Sequence, residues 1–288
     1  MLKAIWFVEP VLHSLARAAG LLEDANLDVE AKLTGSSDEQ FEALRDGTRD
    51  FAVTSMDNVV MWKRRPGGEA MRLVAQIEAT LAIDLVARPE MSAVTDLAGC
   101  RLLVDSAENG FVVALHKLLH DEGVDYLACT VLESGGVKQR LDALLAGKGD
   151  AASLGPPFTQ VALNRGFRLI ANVNARYPGL AGQGIIMRTD IAADKLAEIE
   201  RYLAACAQAL SSALADPAGA VERLAAARMP PAMAQAMVSA LGQSLVPDRV
   251  GVDMLAEHRR AVGRPGGEDS YQDLVDMRSL DRALAAAG

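Results

Sequence analysis

The sequence predicts an α/β fold in two lobes, each a mainly parallel sheet flanked by helices. Three observations carry this. Short apolar, strand-like runs alternate with helical segments up to about residue 190. At 288 residues the chain is long for one compact core and comfortable for two. Finally, "LRDGTRDFAVTS" (44–55) returns as "LLAGKGDAASLG" (144–155). Leu44 matches Leu144, Gly47 matches Gly147, Asp50 matches Asp150 and Ala52 matches Ala152, all at an offset of 100. Self-similarity at a fixed spacing marks repeated architecture. Each copy ends a helix on glycine, turns and enters a short buried strand.

The first series begins at once, with a strand near 3–8 in "MLKAIWFVEP". A helix near 12–24, a strand near 27–33, a helix near 37–46, a strand near 50–54 and a helix near 57–63 follow, then strands near 71–77 and 82–88. After the loop from Glu90 to Asp96, the second series places strands near 101–105, 128–132, 150–154, 168–173 and 184–188. Helices near 109–122, 136–146 and 157–164 separate the first four of these strands. From Asp190 the pattern is helical and alanine-rich, with turns at Asp216-Pro217 and Pro230-Pro231.

Composition narrows the function. A net charge of −9 argues against nucleic-acid or anionic-membrane partners, since nothing offers a broad basic face. The short "KRR" at 63–65 reads as a solvated helix end. No apolar run approaches the ~18–20 residues of a membrane span, so no membrane insertion is expected. The N-terminus lacks a signal peptide's charged, apolar and cleavage regions. The expected location is therefore periplasmic if a signal was removed and cytoplasmic if Met1 is native. Cys100, Cys129 and Cys206 have wide spacings and no CxxC, which argues against a zinc site or disulfide framework and for buried, reduced thiols.

Two-lobed α/β proteins turn the carboxyl ends of their strands, and the helix starts that follow, to a shared crevice. The polar junctions are therefore the candidate positions: Glu9–His13, Gly35–Asp38, Thr54–Asn58, Asp105–Phe111, Ser134–Gly136 and Leu154–Phe158. After the buried run Phe51–Val53, four residues of N-cap type fall within five positions: Thr54, Ser55, Asp57 and Asn58. One cap suffices for a helix, so the surplus points to ligand contacts. Asp105 and Ser106, with Glu108, Asn109 and Gly110 before a helix, take the matching place in the second lobe, as caps or as cleft lining. Glu9 and His13 share one face of a helix start, where they can orient a ligand amine or act as acid and base. His116 and His120 have the i,i+4 spacing that suits a metal, but no third ligand accompanies them; neither metal nor cofactor is expected. Trp6, Phe7, Phe111, Phe158 and Tyr177 fall near predicted junctions and suit a planar ring ligand, or plain core packing. Trp62 reads as structural. No Arg falls in the junctions, which favours an amine-bearing or heteroaromatic solute over a simple alkylsulfonate.

Three strings, "GSSDEQFEALRDGTRDFAVTSMDNVV" (35–60), "LAGCRLLVDSAENGFVVALHKLLHDEGVD" (97–125) and "RLDALLAGKGDAASLGPPF" (140–158), give the chain a family likeness by their order and spacing. Over roughly residues 1–215 it resembles the NMT1/THI5-like, sulfonate/nitrate/taurine-type solute-binding proteins of ABC transporters, which have the type II periplasmic-binding-protein fold. The resemblance implies a discontinuous first lobe, 1–86 and 186–288, and a second lobe, 87–185. Two crossover strands near "LAIDLVARPE" and "GQGIIMRTD" would join them around a ligand cleft. It also implies that Trp6, Glu9, His13, Ser36, Ser37, Thr54, Ser55, Asp57, Asn58, Asp105, Ser106, Asn109, Phe111, Ser134, Gly135, Pro157 and Phe158 line that cleft. The implied partners are a small organic ligand and an ABC permease. The cysteine cluster of the eukaryotic pyrimidine synthases is missing, so their chemistry is not implied. The expected function is capture of a small polar or heteroaromatic molecule. The alternative is a cytoplasmic lyase, isomerase or hydrolase on the same fold, using Glu9, His13 and Asp57 as acid/base groups.

Overall fold

The structure, a computed structural model, describes residues 1–80, 83–107 and 109–287. Leu81 and Ala82, inside the expected crossover at 81–90, and Glu108, before the expected helix at 109, lie outside the described residues. The chain divides into two compact units. Met1–Ala79, Ala181–Arg249 and Ser270–Gly288 form the first; Thr80–Leu180 and Val250–Asp269 form the second.

The first unit opens with β1 (Leu2–Trp6), α1 (Val11–Ala18), α2 (Leu21–Asp24), β2 (Val29–Leu33), α3 (Ser37–Arg45), β3 (Phe51–Ser55), α4 (Asn58–Trp62) and β4 (Met71–Gln76). The second runs through β5 (Asp84–Ala87), β6 (Arg101–Val104), α5 (Gly110–Asp121), β7 (Thr130–Glu133), α6 (Val137–Leu145), β8 (Ala151–Leu154), α7 (Phe158–Asn164), β9 (Arg168–Asn172) and α8 (Val173–Arg176). The chain returns to the first unit through β10 (Gln183–Arg188), α9 (Ala193–Ala215), α10 (Pro217–Ala226) and α11 (Pro231–Ser239). After α12 (Arg249–Ala261), α13 (Tyr271–Leu274) and α14 (Arg278–Ala287) complete the first unit.

The two sheets share one plan, β2-β1-β3-β10-β4 in the first unit and β7-β6-β8-β5-β9 in the second. In each, the first three strands are parallel. The fourth runs antiparallel to both neighbours: β10 against β3 and β4, β5 against β8 and β9. These antiparallel strands are the ones expected as crossovers. The sequence repeat has a physical counterpart. α3 and α6 both stop before a glycine of positive φ, Gly47 at 66° and Gly147 at 69°, a conformation costly for any residue with a Cβ. The matched aspartates then clamp the neighbouring strand in the same way. Asp50 Oδ2 accepts from Lys3 N at 2.6 Å while its own N–H donates to Lys3 O at 2.7 Å. Asp150 Oδ2 accepts from Arg101 N at 2.8 Å while its N–H donates to Arg101 O at 2.8 Å.

The first core joins Leu2, Trp6, Leu12 and Phe51 to the buried face of α9, where Tyr202, Ala205, Ala209 and Ala213 sit. Small side chains on that face let α9 approach α1 and α14 closely. The second core gathers Val86, Leu103, Leu141, Leu144, Ala152, Leu154 and Ala162. Two features depart from the sequence expectations. The helix expected over 12–24 is two helices, broken where Gly20 turns at φ 75°. Most of α12 packs with the second unit, although the sequence reading carried 186–288 whole into the first lobe. The His258 and Tyr177 rings meet edge-to-face with their centroids 4.4 Å apart, and Tyr177 is itself held by its hydroxyl donating to Asp121 Oδ2 at 2.7 Å.

Candidate functional site

In the first unit the junction residues after β3 are all buried: Thr54 2%, Ser55 3%, Asp57 1% and Asn58 4% exposed. Asn58 Nδ2 donates to Thr54 Oγ1 at 2.8 Å, so the i,i+4 pair satisfies itself across the strand end. Asp57 stands at the helix start in αR backbone, and none of the four side chains caps α4. Behind them lies Gln40, fully buried on α3, a residue that the sequence reading missed. Its Nε2 donates to the carbonyls of Ile5 (3.3 Å) and Val53 (3.0 Å), tying α3 to β1 and β3 near their carboxyl ends. Ser36 spends its hydroxyl on capping α3, accepting from Glu39 N at 3.4 Å, and Ser37 begins that helix, 9% exposed.

The second unit places Asp105 and Ser106 directly after β6. Asn109 caps α5, its Oδ1 accepting from Phe111 N at 2.9 Å and Val112 N at 3.3 Å. Its Nδ2 donates to Asp105 Oδ2 in a short bond. Ser106, Phe111, Ser134 and Gly135 are half-buried. Ser134 N donates to Val104 O at 2.7 Å, placing the β7 end beside the β6 end. Pro157 is exposed, and Phe158 is half-buried against the second core. One expectation is corrected here: an arginine does serve this junction. Arg140, 6% exposed, reaches back from α6, donating Nε to Ser153 O and Nη1 to Gly135 O, each at 2.7 Å. Nη1 also lies 4.0 Å from Asp105 Oδ2. Burial holds the Arg140 pKa below its ordinary value, with Asp105 acting against that. Burial likewise raises the Asp105 carboxyl, opposed first by Arg140.

Four buried side-chain atoms at these strand ends have no hydrogen-bond partner among the described residues: Gln40 Oε1, Ser55 Oγ, Asp105 Oδ1 and Ser153 Oγ. Two lie in each unit. Buried polar groups are normally satisfied, so each such atom calls for an explanation. Gln40 Oε1 is an acceptor by assignment, because Nε2 is the atom that meets two carbonyls. Asp105 as a carboxylate also only accepts, while the hydroxyls can do either.

Other expected groups have structural duties. Glu9 accepts from the Ser14 hydroxyl in a short bond and from Arg17 Nη2 at 2.7 Å and Nη1 at 3.1 Å. Burial pushes the Glu9 pKa up, but these donors outweigh it and the net direction is down. His13, 3% exposed, stands with its ring 5.0 Å from Trp6 and its Nδ1 3.3 Å from Tyr202 Oη. Burial lowers the His13 pKa to about 4. Trp6 and Trp62 are each 1% exposed; Trp6 belongs to the first core, and Trp62 lies beside Phe41 at 6.2 Å. His116 stacks on Tyr126 at 4.4 Å, while His120 Nδ1 faces Asp121 at 3.4 Å, so the i,i+4 histidines answer to different neighbours.

Comparison with known proteins places the chain. The NMT1/THI5-like family pattern matches residues 13–220. The chain belongs to that family. No curated protein matches it. A solved protein from Bordetella bronchiseptica RB50 superposes with a TM-score of 0.81 at 16% identity, covering 99% of this chain and 97% of that one. The alkanesulfonate-binding protein SsuA of Xanthomonas axonopodis pv. citri, bound to MOPS, gives 0.72 at 20%, covering 92% and 93%. The zinc-bound ligand-binding component of an ABC-type import system from Staphylococcus aureus gives 0.78 at 12%, covering 98% of each chain. The fold of this NMT1/THI5-like chain is that of the periplasmic binding proteins. No helix among its described residues is long and apolar enough to cross a membrane.

Proposed function

We propose that this chain is a solute-binding protein that captures a small polar or heteroaromatic molecule and hands it to an ABC permease from the periplasmic side. Each unit by itself offers candidate contacts at its strand carboxyl ends: Ser55 and Gln40 in the first, among the junction residues Thr54–Asn58, and Asp105 and Ser153 in the second, among Ser106–Phe111. The carrying observation is the set of four buried, partnerless polar atoms at those ends. Leaving such an atom unpaired costs about 1–3 kcal/mol, which a ligand that reaches it recovers. Two of the four are acceptors and none is an obligate donor, which favours a solute bearing N–H or O–H groups. Arg140 does not change that preference, because two carbonyls and Asp105 already engage its guanidinium. Support for the import role comes from family membership and from the descriptions of the Xanthomonas and Staphylococcus proteins.

Calorimetric titration with pyrimidines, heteroaromatic amines and alkylsulfonates tests the reading. Saturable binding of a donor-bearing ring compound is expected, without turnover. Binding confined to alkylsulfonates would overturn the donor argument, and turnover without binding would overturn the transport role.

A further inference from the structure

We propose that Cys100 and Cys129 form an intramolecular disulfide that staples β6 to β7 in the second unit. The parallel register pairs Arg101 with Thr130, so the residues just before them, Cys100 and Cys129, stand opposite each other as the two strands begin. Thr130 N donates to Cys100 O at 2.8 Å, which holds the two backbones together at that point. Adjacent strands run about 4.8 Å apart, and disulfides span Cα separations of about 4.4–6.8 Å. The Cys129 thiol donates to Leu97 O at 3.3 Å, the same carbonyl that accepts from Cys100 N at 3.0 Å, so one carbonyl holds both cysteines close. Both are free and buried, at 5% and 8% exposure. The third cysteine, Cys206, is fully buried in the core of the first unit and pairs with neither.

The bond forms by exchange with a small-molecule disulfide such as oxidised glutathione. One protein thiolate attacks a sulfur of that disulfide, releasing one small thiol and leaving a mixed disulfide. The second protein thiolate then attacks the protein sulfur and expels the second small thiol. The two protein thiols are oxidised, the small disulfide is reduced, and the two protons end on the released thiols. Burial raises the Cys100 thiol to about 12 and hides both sulfurs, so the exchange belongs to folding, before the strands are covered. The closed loop contains all of α5, so the bond removes freedom from the unfolded chain over a long segment.

The test refolds the full chain from urea in a mixture of reduced and oxidised glutathione. The expected product has lost two of its three thiols and the mass of two hydrogens, and its peptide map joins Cys100 to Cys129. Its urea midpoint is higher than that of the reduced chain and falls back on reduction. Cys206→Ser should form the same link, while Cys100→Ser should keep both remaining thiols. Three free thiols after oxidative refolding, glutathione adducts without an internal link, or a link to Cys206 would each overturn the proposal. Because the peptide map of the parent chain decides the pairing, failure of either variant to fold leaves the test intact.

Discussion

The end of β3 and its counterpart one hundred residues later, the end of β8, differ in an instructive way. What holds the scaffold together is repeated: Gly47 and Gly147 close the preceding helix, and Asp50 and Asp150 clamp the adjacent strand through the same pair of backbone bonds. What faces the strand end has diverged. Neutral Gln40 ties α3 to two strand carbonyls, whereas at the same offset charged Arg140 ties α6 to Ser153 O and Gly135 O beside Asp105. Thr54 and Asn58 bond to each other where the second unit has Leu154 and Phe158. Shared backbone needs preserve one set of residues, and each unit is free to present its own chemistry with the other.

The sharpest way to break this pairing is to remove both tethers in parallel. Arg140→Met deletes two carbonyl bonds and leaves Asp105, 10% exposed at its side chain, without its cation. Stranding a buried charge in this way costs about 3–5 kcal/mol. Gln40→Met removes two neutral bonds and a partnerless oxygen, and costs about 1–2 kcal/mol. Urea unfolding should show Arg140→Met as clearly the more damaging. Equal losses would mean that Asp105 and Arg140 do not depend on each other, and the contrast between the units would dissolve.

The next contrast sets the histidines of the two units against each other. His13 is 3% exposed among Trp6, Tyr202, Glu9 and Arg17, and burial lowers its pKa from 6.5 to about 4. The unfolded chain therefore binds the proton first. Stability is whole above pH 6.5, falls as pH drops towards 4, and loses nothing more from this group below that. At about 1.36 kcal/mol per unit the loss reaches about 3 kcal/mol. His116 is also lowered to about 4, mainly by burial, but it is only half-buried, so water screens the penalty and its share is smaller. His13→Gln should flatten the dependence of unfolding free energy on pH between 6.5 and 4 more than His116→Gln does. The reverse order would mean that the first unit admits water around His13.

Much of this organisation was legible in the sequence, and the limits have physical causes. The repeat at 44–55 and 144–155 is contiguous, so glycine, aspartate and strand could be read together. The alternation of strands and helices likewise gave two α/β units. The unit that takes α12 could not be read, because its buried face meets Tyr177, some eighty residues earlier. Arg140 escaped because it lies inside a helix, beyond the junction, and reaches back along it as long helical side chains do. Ser153 lies within β8, where the preceding run of small residues looks like plain core. Trp6 ends a strand at a place that suits a ligand, but strand position alone does not say which face the ring takes, and it packs into the first core.

The smallest expected change in stability is also the one that bears most directly on ligand capture. Ser55 and Ser153 carry buried hydroxyls without partners, one at each strand end. Replacing a bonded buried hydroxyl normally costs stability, but an unbonded one has already lost its water, so its removal relieves a penalty instead. Ser55→Ala and Ser153→Ala should therefore unfold within about 0.5 kcal/mol of the parent, or slightly later. If a solute supplies the missing partner of one of these hydroxyls, the variant that lacks that hydroxyl should bind it about tenfold more weakly, the loss of one hydrogen bond of about 1.4 kcal/mol. Calorimetry with the ligand found for the parent, alongside urea unfolding, separates the outcomes. Unchanged affinity in Ser55→Ala with a loss in Ser153→Ala would assign the contact to the second unit alone. A large destabilisation in either would mean that the hydroxyl is bonded through ordered water and serves the fold.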